Sequence, residues 1–247
     1  MKWDDKAIIL SARRLGESSA IIHLLTPNHG MYKGVDRGAF SKRKRGVCQP
    51  GNIVQAHWQA RLSEQLGTLE CELMTPIAAH ILDDRRKLAA LSSAAMLAEK
   101  VLSEREQLPG VYDGMEQFVQ ALREDNDWLS AYVRLEFILL EQAGFGLDLE
   151  RCAATGQHHD LSYVSPKSGR AVSREAGKPY HDRLFALPQF LLPLEEKAMA
   201  GMTDILDGVR LCGYFLENRV FAPRGASIPA ARSRFIEMLH IEEPAFG

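Results

Sequence analysis

The sequence predicts an α+β fold in which a small antiparallel β-barrel is followed by a larger, mostly α-helical domain. Short apolar runs separated by turn formers fill residues 6–75, and the pattern changes at Pro76 to Ala- and Leu-rich stretches with helical spacing. The length of 247 residues fits one or two domains, and 46% hydrophobic with 25% charged residues is ordinary for a globular protein. We therefore expect a barrel domain at residues 1–78 and a helical domain at residues 79–247.

Five short segments in the first part have the pattern of β-strands. The turn Pro27-Asn28-His29-Gly30 separates two of them, because Pro presets φ while Asn and Gly tolerate positive φ. The first three segments predict a meander, and the last alternates strictly between apolar and polar side chains. Five strands of this length predict a five-stranded barrel, and the OB-fold is the commonest such barrel that binds nucleic acid. The segments are residues 7–10, 20–26, 31–35, 53–60 and 69–73.

Helical patterns dominate the rest of the chain. A continuous helix is expected from Ile77 to about Gln107, because this stretch has helical spacing and contains neither Gly nor Pro. Asp127 is expected to cap the start of another helix, and Gly144 to cap its end. Residues 146–190 are rich in turn formers and predict an irregular insert. The remaining helices are expected at residues 112–123, 128–143, 193–200, 204–218 and 230–239.

The net charge of −2 hides an asymmetry along the chain. Residues 1–80 carry 11 Lys and Arg against 7 Asp and Glu, whereas the remainder carries 19 against 25. A basic front on an acidic body indicates a surface that meets a polyanion, although a surface bias without a partner explains the charge equally well. No apolar segment approaches the ~18 residues that a membrane span needs, and the N-terminus lacks a signal-peptide pattern. We expect a cytoplasmic protein.

The barrel segment holds the candidate residues for binding nucleic acid. Its cations can neutralise phosphates, and a solvated loop is the alternative for the run at 42–45. Phe40, beside that run, is the best candidate for base stacking, whereas Trp58 and Tyr32 fit the barrel core as well, and for Trp58 the core is favoured. The candidate DNA-binding residues are Arg13, Arg14, Lys33, Arg37, Phe40, Lys42, Arg43, Lys44 and Arg45.

Several motifs match those of one known protein family, in order and with the right gaps. Gly16-Glu17-Ser18-Ser19 is similar to the start of these proteins, and Gln49-Pro50-Gly51 to the strand entry after their basic loop. The most specific motif is Leu139 to Leu149, which is similar to the family's "LLxxxGFGLDL" helix end. Tyr163 to Gly169 resembles its "SPxxG" segment. The family that these motifs resemble is the bacterial RecO family.

The resemblance implies a protein of DNA repair and recombination in the RecF pathway, associated with the nucleoid. Such proteins bind single- and double-stranded DNA and anneal complementary strands. With RecR, and often RecF, they help load RecA onto DNA coated by single-strand-binding protein. They bind the C-terminal tail of single-strand-binding protein on the helical body, and that implies three weak candidates here: Arg123, Arg134 and Arg210.

Many members of this family carry a four-cysteine zinc site in the insert, which corresponds here to residues of about 148–182. Only Cys152 remains, and Thr155, Ser173 and Ala176 occupy the other ligand positions. A closed structural zinc site needs about four N or S ligands, so neither zinc nor another cofactor is expected. The four cysteines form no CxxC pair and are expected to be free thiols.

No motif indicates an enzyme. The sequence contains no P-loop, no GxSxG, no HExxH and no GxGxxG after a strand. The expected function is therefore non-enzymatic. Two alternatives stay open: an RNA-binding OB-fold protein, since a barrel with a basic loop does not distinguish RNA from DNA, and a protein adaptor without annealing activity.

Overall fold

The N-terminal strands form a closed five-stranded barrel. The structure is a computed structural model, and it describes residues 1–42, 44–62, 65–192 and 200–240. The strands are connected side by side in the order β1-β2-β3-β5-β4, and β4 pairs again with β1. The barrel belongs to an OB-fold domain, so the predicted fold class is confirmed. The strands are Lys2–Leu15 (β1), Ser19–Thr26 (β2), Gly30–Asp36 (β3), Ile53–Gln59 (β4) and Thr68–Thr75 (β5).

A long first strand allows the barrel to close. The first half of β1 pairs with β4, its second half pairs with β2, and a β-bulge between Ile9 and Ser11 bends it where the partner changes. The barrel is completed by a parallel contact between Val35 of β3 and Thr68 of β5. Trp58 is 1% exposed in the barrel core and donates its indole N–H to the carbonyl of Lys33 at 3.1 Å. The favoured core position of Trp58 is therefore confirmed.

The helical region begins with two helices where the sequence predicted one. The bounds are Ile77–His80 (α1), Arg85–Val101 (α2), Pro109–Glu124 (α3) and Trp128–Gln142 (α4). The expected continuous helix from Ile77 to Gln107 is wrong, because Asp84 adopts an extended backbone. Its carboxylate accepts the N–H groups of Arg86 and Lys87 as an N-cap. Asp127 precedes α4 as expected, but its side chain forms no capping hydrogen bond.

The insert has more regular structure than its sequence predicted. Leu161–Val164 (β6), Ala171–Ser173 (β7) and Phe185–Ala186 (β8) form a three-stranded sheet with β6 in the middle. The short helix Arg174–Gly177 (α5) follows β7. Two longer helices complete the region, Met202–Phe215 (α6) and Ala230–His240 (α7), and a π-helical turn at Leu216–Phe221 extends α6. The helix expected at residues 193–200 lies, but for Ala200, outside the described residues.

A buried polar network joins α2, α4, α6 and α7. Arg232 of α7 donates two hydrogen bonds to Glu136 of α4, at 2.6 and 2.9 Å, and a third to the carbonyl of Val209 at 2.8 Å. Tyr132 donates to the same carboxylate at 2.6 Å, and its oxygen lies 2.7 Å from Ser93 of α2. The opposite charges of Glu136 and Arg232 are therefore paired with each other inside the helical core.

The barrel and the helical region share one apolar core. Outer barrel residues such as Ile8, Leu25 and Ile53 pack with the helices, whereas Trp3, Tyr32 and Trp58 belong to a separate core inside the barrel. The segment after α2 runs beside β3, where the backbone N–H of Arg105 donates to the carbonyl of Met31 at 2.8 Å. No described helix is both long and apolar enough to span a membrane.

Candidate nucleic-acid interface

The turn between β1 and β2 and the loop after β3 lie against each other at one end of the barrel. The Phe40 N–H donates to the carbonyl of Ser18 at 3.1 Å, and the hydroxyls of Ser18 and Ser19 donate to the carbonyl of Arg37 at 3.3 and 3.4 Å. Gly16 adopts a φ of +70° in the turn. These contacts bring together five of the expected residues, which we call the tip surface: Arg14, Arg37, Phe40, Lys42 and Arg45.

The described residues of the loop after β3, 37–42 and 44–52, are connected by hydrogen bonds within the loop. The carbonyl of Ser41 accepts the N–H groups of Lys44 and Arg45 at 3.1 and 3.0 Å, and the side-chain amide of Asn52 donates to Gly46 and Val47 at 2.9 and 3.0 Å. The side chain of Gln49 donates to the carbonyl of Arg45 at 2.6 Å. The cations of the loop are therefore held on a largely preformed backbone, which lowers the entropy cost of binding a ligand.

Arg14 and Phe40 form a stacked pair within the tip surface. The Arg14 guanidinium lies 4.7 Å from the centre of the Phe40 ring, and it also donates to the carbonyl of Glu17 at 3.1 Å. Phe40 is half-buried and packs against the inner core of the barrel. One face of the ring is thus covered by a cation, and the guanidinium plane itself offers a second surface on which a base can stack.

Lys44 differs from its neighbours in the basic run because its side chain folds back onto the barrel wall, between Asp36 and Glu70. Its ammonium lies 3.6 Å from Asp36 Oδ2 and 3.4 Å from Glu70 Oε1. Partial burial works to lower the pKa of Lys44, but the carboxylates of Asp36 and Glu70 outweigh burial and raise it. The charge of Lys44 is therefore engaged in neutralising a buried aspartate. Arg43, its neighbour, lies outside the described residues.

Arg13 and Lys33 face the helical region. Arg13 forms an ion pair with Glu99 of α2 at 2.6 Å, and Lys33 forms one with Glu104 at 2.5 Å. His23 lies between them, 3.6 Å from Glu99. Burial lowers the pKa of His23, and the charges of Arg13 and Lys33 act in the same direction, so that the opposing effect of Glu99 is outweighed. The structure thus separates these two expected DNA ligands from the tip surface and pairs them with carboxylates of the body.

The three arginines expected to bind a partner lie on different helices and have different neighbours. Arg123 of α3 is exposed and donates to Gln120 at 3.2 Å. Arg134 of α4 lies over the Phe190 ring at 5.4 Å, and it donates to the Phe190 carbonyl at 3.3 Å. Arg210 of α6 pairs with Asp207 at 3.5 Å.

Arg105 is a candidate that sequence reasoning missed. It follows α2 in the chain, yet its guanidinium lies 5.3 Å from the Tyr32 ring and donates to the carbonyl of Gln65 in the β4–β5 loop at 3.3 Å. That loop is one of the two that OB-folds commonly use to bind ligands. Because Arg105 lies far from the barrel strands in the sequence, no local pattern indicated this contact.

In the insert, Cys152 and two of the residues at the lost zinc-ligand positions meet. The N–H of Ser173 donates to Cys152 Sγ at 3.2 Å, and the hydroxyl of Ser173 lies 3.4 Å from the same sulfur. Burial raises the pKa of Cys152, but hydrogen bonds from Ser173 and Thr155 outweigh it and lower the pKa to about 6. His158 is directed to the carbonyl of Glu150 at 2.9 Å. Hydrogen bonds thus connect Cys152 with Ser173 and Thr155, two of the positions at which the resemblance implies lost zinc ligands.

Comparisons with known proteins cover nearly the whole chain. Residues 1–77 match the family described as Recombination protein O N terminal, and residues 82–227 match Recombination protein O C terminal. A protein of Rhodospirillum rubrum is 49% identical over 245 residues, which is 97% of this chain and 96% of that protein. One from Rhodospirillum centenum is 49% identical over 239 residues (96% and 94%), and one from Caulobacter vibrioides is 44% identical over 239 residues (97% and 98%). All three are named DNA repair protein RecO.

Proposed function

The chain belongs to the RecO family of DNA repair proteins, and from that premise we propose that it is a non-enzymatic recombination mediator. In this proposal it binds single- and double-stranded DNA and promotes annealing of complementary strands. With RecR, and with RecF where present, it helps load RecA onto DNA coated by single-strand-binding protein. None of these steps requires the chain to hydrolyse a nucleotide.

The tip surface is the observation that carries the DNA-binding part of the proposal. Within the described part of the chain, the side chains of Arg37, Lys42 and Arg45 form no ion pair with a carboxylate, so they are available to phosphates. Arg14 adds a fourth cation and, with Phe40, a stacking platform. An exposed cluster of cations beside an aromatic ring on an OB-fold barrel is the arrangement that grips single strands.

The tip surface is expected to bind nucleic acid with little dependence on its base sequence. Cations that meet phosphates position a strand without reading its bases, and stacking accepts every base. A mediator of annealing has to act on any complementary pair of strands, so this property suits the proposed role. We place the contact with the tail of single-strand-binding protein on the helical region, where Arg123, Arg134 and Arg210 are the candidate residues.

Fluorescence anisotropy with a labelled single-stranded DNA over a range of salt tests the proposal. The test variant combines Arg14→Ala, Arg37→Ala, Lys42→Ala and Arg45→Ala. Each phosphate contact on a single strand contributes about 0.7 to the slope of log K against log salt, so the variant is expected to bind more weakly and to lose up to about 3 from that slope.

A control variant with the same change in net charge separates a local surface from a general charge effect. It combines Arg151→Ala, Lys178→Ala, Arg183→Ala and Arg224→Ala, four exposed cations of the helical region outside the candidate partner site. The control is expected to bind nearly as the wild type does. Equal losses in both variants would contradict a binding site at the tip surface, and no binding by the wild type at low salt would contradict DNA binding altogether. Tighter binding to RNA of the same sequence would favour the RNA-binding alternative.

A further inference from the structure

Three buried side chains with metal-binding chemistry meet beneath the basic loop. Asp36 lies at the end of β3, Cys48 near the end of the loop, and Cys71 in the middle of β5. Each is at most 4% exposed, and the carboxylate oxygen and the two sulfurs all lie within 4.8 Å of one another. Residues from three separate parts of the chain are thus directed to one point on the barrel wall.

Hydrogen bonds connect the three groups in the order Cys71, Cys48, Asp36. Cys71 is hydrogen-bonded to Cys48, an interaction that is the largest cause of the lowered pKa of Cys48 and of the raised pKa of Cys71. The Cys48 thiol lies 3.9 Å from Asp36 Oδ2. The other oxygen, Asp36 Oδ1, accepts the N–H of Gly38 at 2.8 Å, so the carboxylate is fixed with Oδ2 toward the sulfurs.

From this geometry we infer that Asp36, Cys48 and Cys71 form a binding site for a thiophilic divalent metal ion, with Zn²⁺ as the matching ion. Zinc binds thiolate at about 2.3 Å and carboxylate at about 2.0–2.2 Å, so tetrahedral ligands are separated by about 3.6–3.8 Å. The spacing of the three atoms needs only small adjustments to reach these values. Three protein ligands leave the fourth position for a water molecule, which the tetrahedral geometry of Zn²⁺ accepts.

The charges at the three ligands and at Lys44 balance that of a divalent cation. Binding replaces the two thiol protons by one Zn²⁺, so the net charge of the cluster is unchanged. Two thiolates, one carboxylate and Zn²⁺ together carry −1, and the ammonium of Lys44, 3.6 Å from Asp36, balances that charge. A buried site therefore gains a metal without an uncompensated charge.

A metal ion at this position would hold the basic loop to the barrel wall. Asp36 and Cys48 bracket the basic loop, and Cys71 belongs to the neighbouring strand, so one ion fixes both ends of the loop to β5. The site is independent of the insert, where Cys152 is the remaining cysteine of the lost zinc pattern. A metal that binds only the folded chain also raises its melting temperature.

Cobalt substitution in a variant that leaves the cluster untouched tests the site directly. The full-length chain carrying Cys152→Ala and Cys212→Ala retains only Cys48 and Cys71 as thiols. It is purified in reductant, freed of metal and titrated with Co²⁺ and then Zn²⁺. The expected result is thiolate-to-cobalt charge-transfer absorption that saturates at one equivalent, disappears on addition of Zn²⁺ and strengthens as pH rises, because two thiol protons are released.

Asp36→Asn in the same background tests the third ligand, because the amide keeps an oxygen for the Gly38 N–H. Loss of groups that only support a ligand already costs about 10- to 100-fold in metal affinity, so loss of the carboxylate is expected to cost at least about tenfold. Absence of the charge-transfer band in the two-cysteine chain, or a band that also appears after Cys48→Ala and Cys71→Ala, would overturn the assignment. So would unchanged zinc affinity in the Asp36→Asn chain.

Discussion

At the scale of single residues, the surroundings of each cation decide what it does. Arg14 and Lys44 both belong to the basic part of the barrel, yet Arg14 lies over an aromatic ring at the surface while Lys44 neutralises the buried Asp36. Arg13 is exposed in large part but pairs with Glu99. A charge count along the sequence treats these residues as equivalent, and only the three-dimensional neighbours separate them.

The buried pair Glu136–Arg232 is expected to be the most sensitive charged contact of the helical core. Arg232→Ala leaves a buried carboxylate without its cation, so we expect a loss of about 3–5 kcal/mol in the free energy of unfolding, measured with urea. Arg234→Ala, at an exposed position of the same helix, is expected to change stability by less than about 0.5 kcal/mol. Similar losses in the two variants would contradict a special role for the pair.

Cys152 is expected to make stability depend on pH. Its folded pKa is about 6, and an unfolded cysteine titrates near pH 8.5. Between these values the unfolded chain binds more protons, so the contribution of Cys152 grows as pH rises and is lost as pH falls through about 6. The difference in free energy of unfolding between wild type and Cys152→Ser is expected to be larger at pH 8.5 than at pH 6.

Cys212 provides a comparison of opposite sign for this pH dependence. Burial raises the pKa of its thiol, so only the unfolded chain ionises at high pH and the contribution of Cys212 falls as pH rises toward 9. A Cys152→Ser difference that stays constant with pH would show that the thiol is protonated in the folded chain.

At the scale of elements, the junction between the barrel and the helices depends on close backbone contact. The turn before β3 places Gly30, with φ of +69°, against the backbone of Glu106, and a Cβ built on Gly30 would lie 1.7 Å from the Glu106 carbonyl oxygen. The neighbouring contact between Arg105 and Met31 depends on the same approach.

Two glycines with nearly equal φ angles separate the effect of this contact from that of conformational strain. Gly16→Ala meets no atom within 4 Å and has φ of +70°, so it is expected to cost about 1–2 kcal/mol from the left-handed backbone alone. Gly30→Ala has the same strain and must also displace backbone, so its loss in the free energy of unfolding is expected to be clearly larger. Equal losses in the free energy of unfolding would mean that the backbone of Glu106 moves away from the new Cβ at little cost.

The same scale shows which elements could be predicted from the sequence. Alternation and turn formers predicted all five barrel strands, because their signals are local. The helix break is not evident in the sequence, because the apolar spacing continues through it; α1 ends at His80, and the Asp84 carboxylate caps the start of α2. The tip surface was partly predicted from the charge run, but the pairing of Arg13 and Lys33 with the body and the contact of Arg105 with Tyr32 depend on long-range packing.

At the scale of the whole molecule, the structure divides the charge of the barrel between two surfaces. Cations that face the helical region are neutralised by Glu99 and Glu104, whereas those of the tip surface remain open to solvent. The acidic helical region is then expected to keep a nucleic acid strand at the end of the barrel, by repulsion elsewhere.

Annealing of complementary strands that are both coated with single-strand-binding protein is the most direct test of the mediator function. The rate is measured without nucleotide for the wild type, for the chain lacking Arg14, Arg37, Lys42 and Arg45, and for the control lacking four exposed cations of the helical region. We expect the wild type and the control to accelerate annealing and the tip-surface variant to lose most of that acceleration. A wild type that binds DNA but leaves the annealing rate unchanged would contradict the mediator function, and a tip-surface variant as active as the wild type would contradict the role of the tip surface in it.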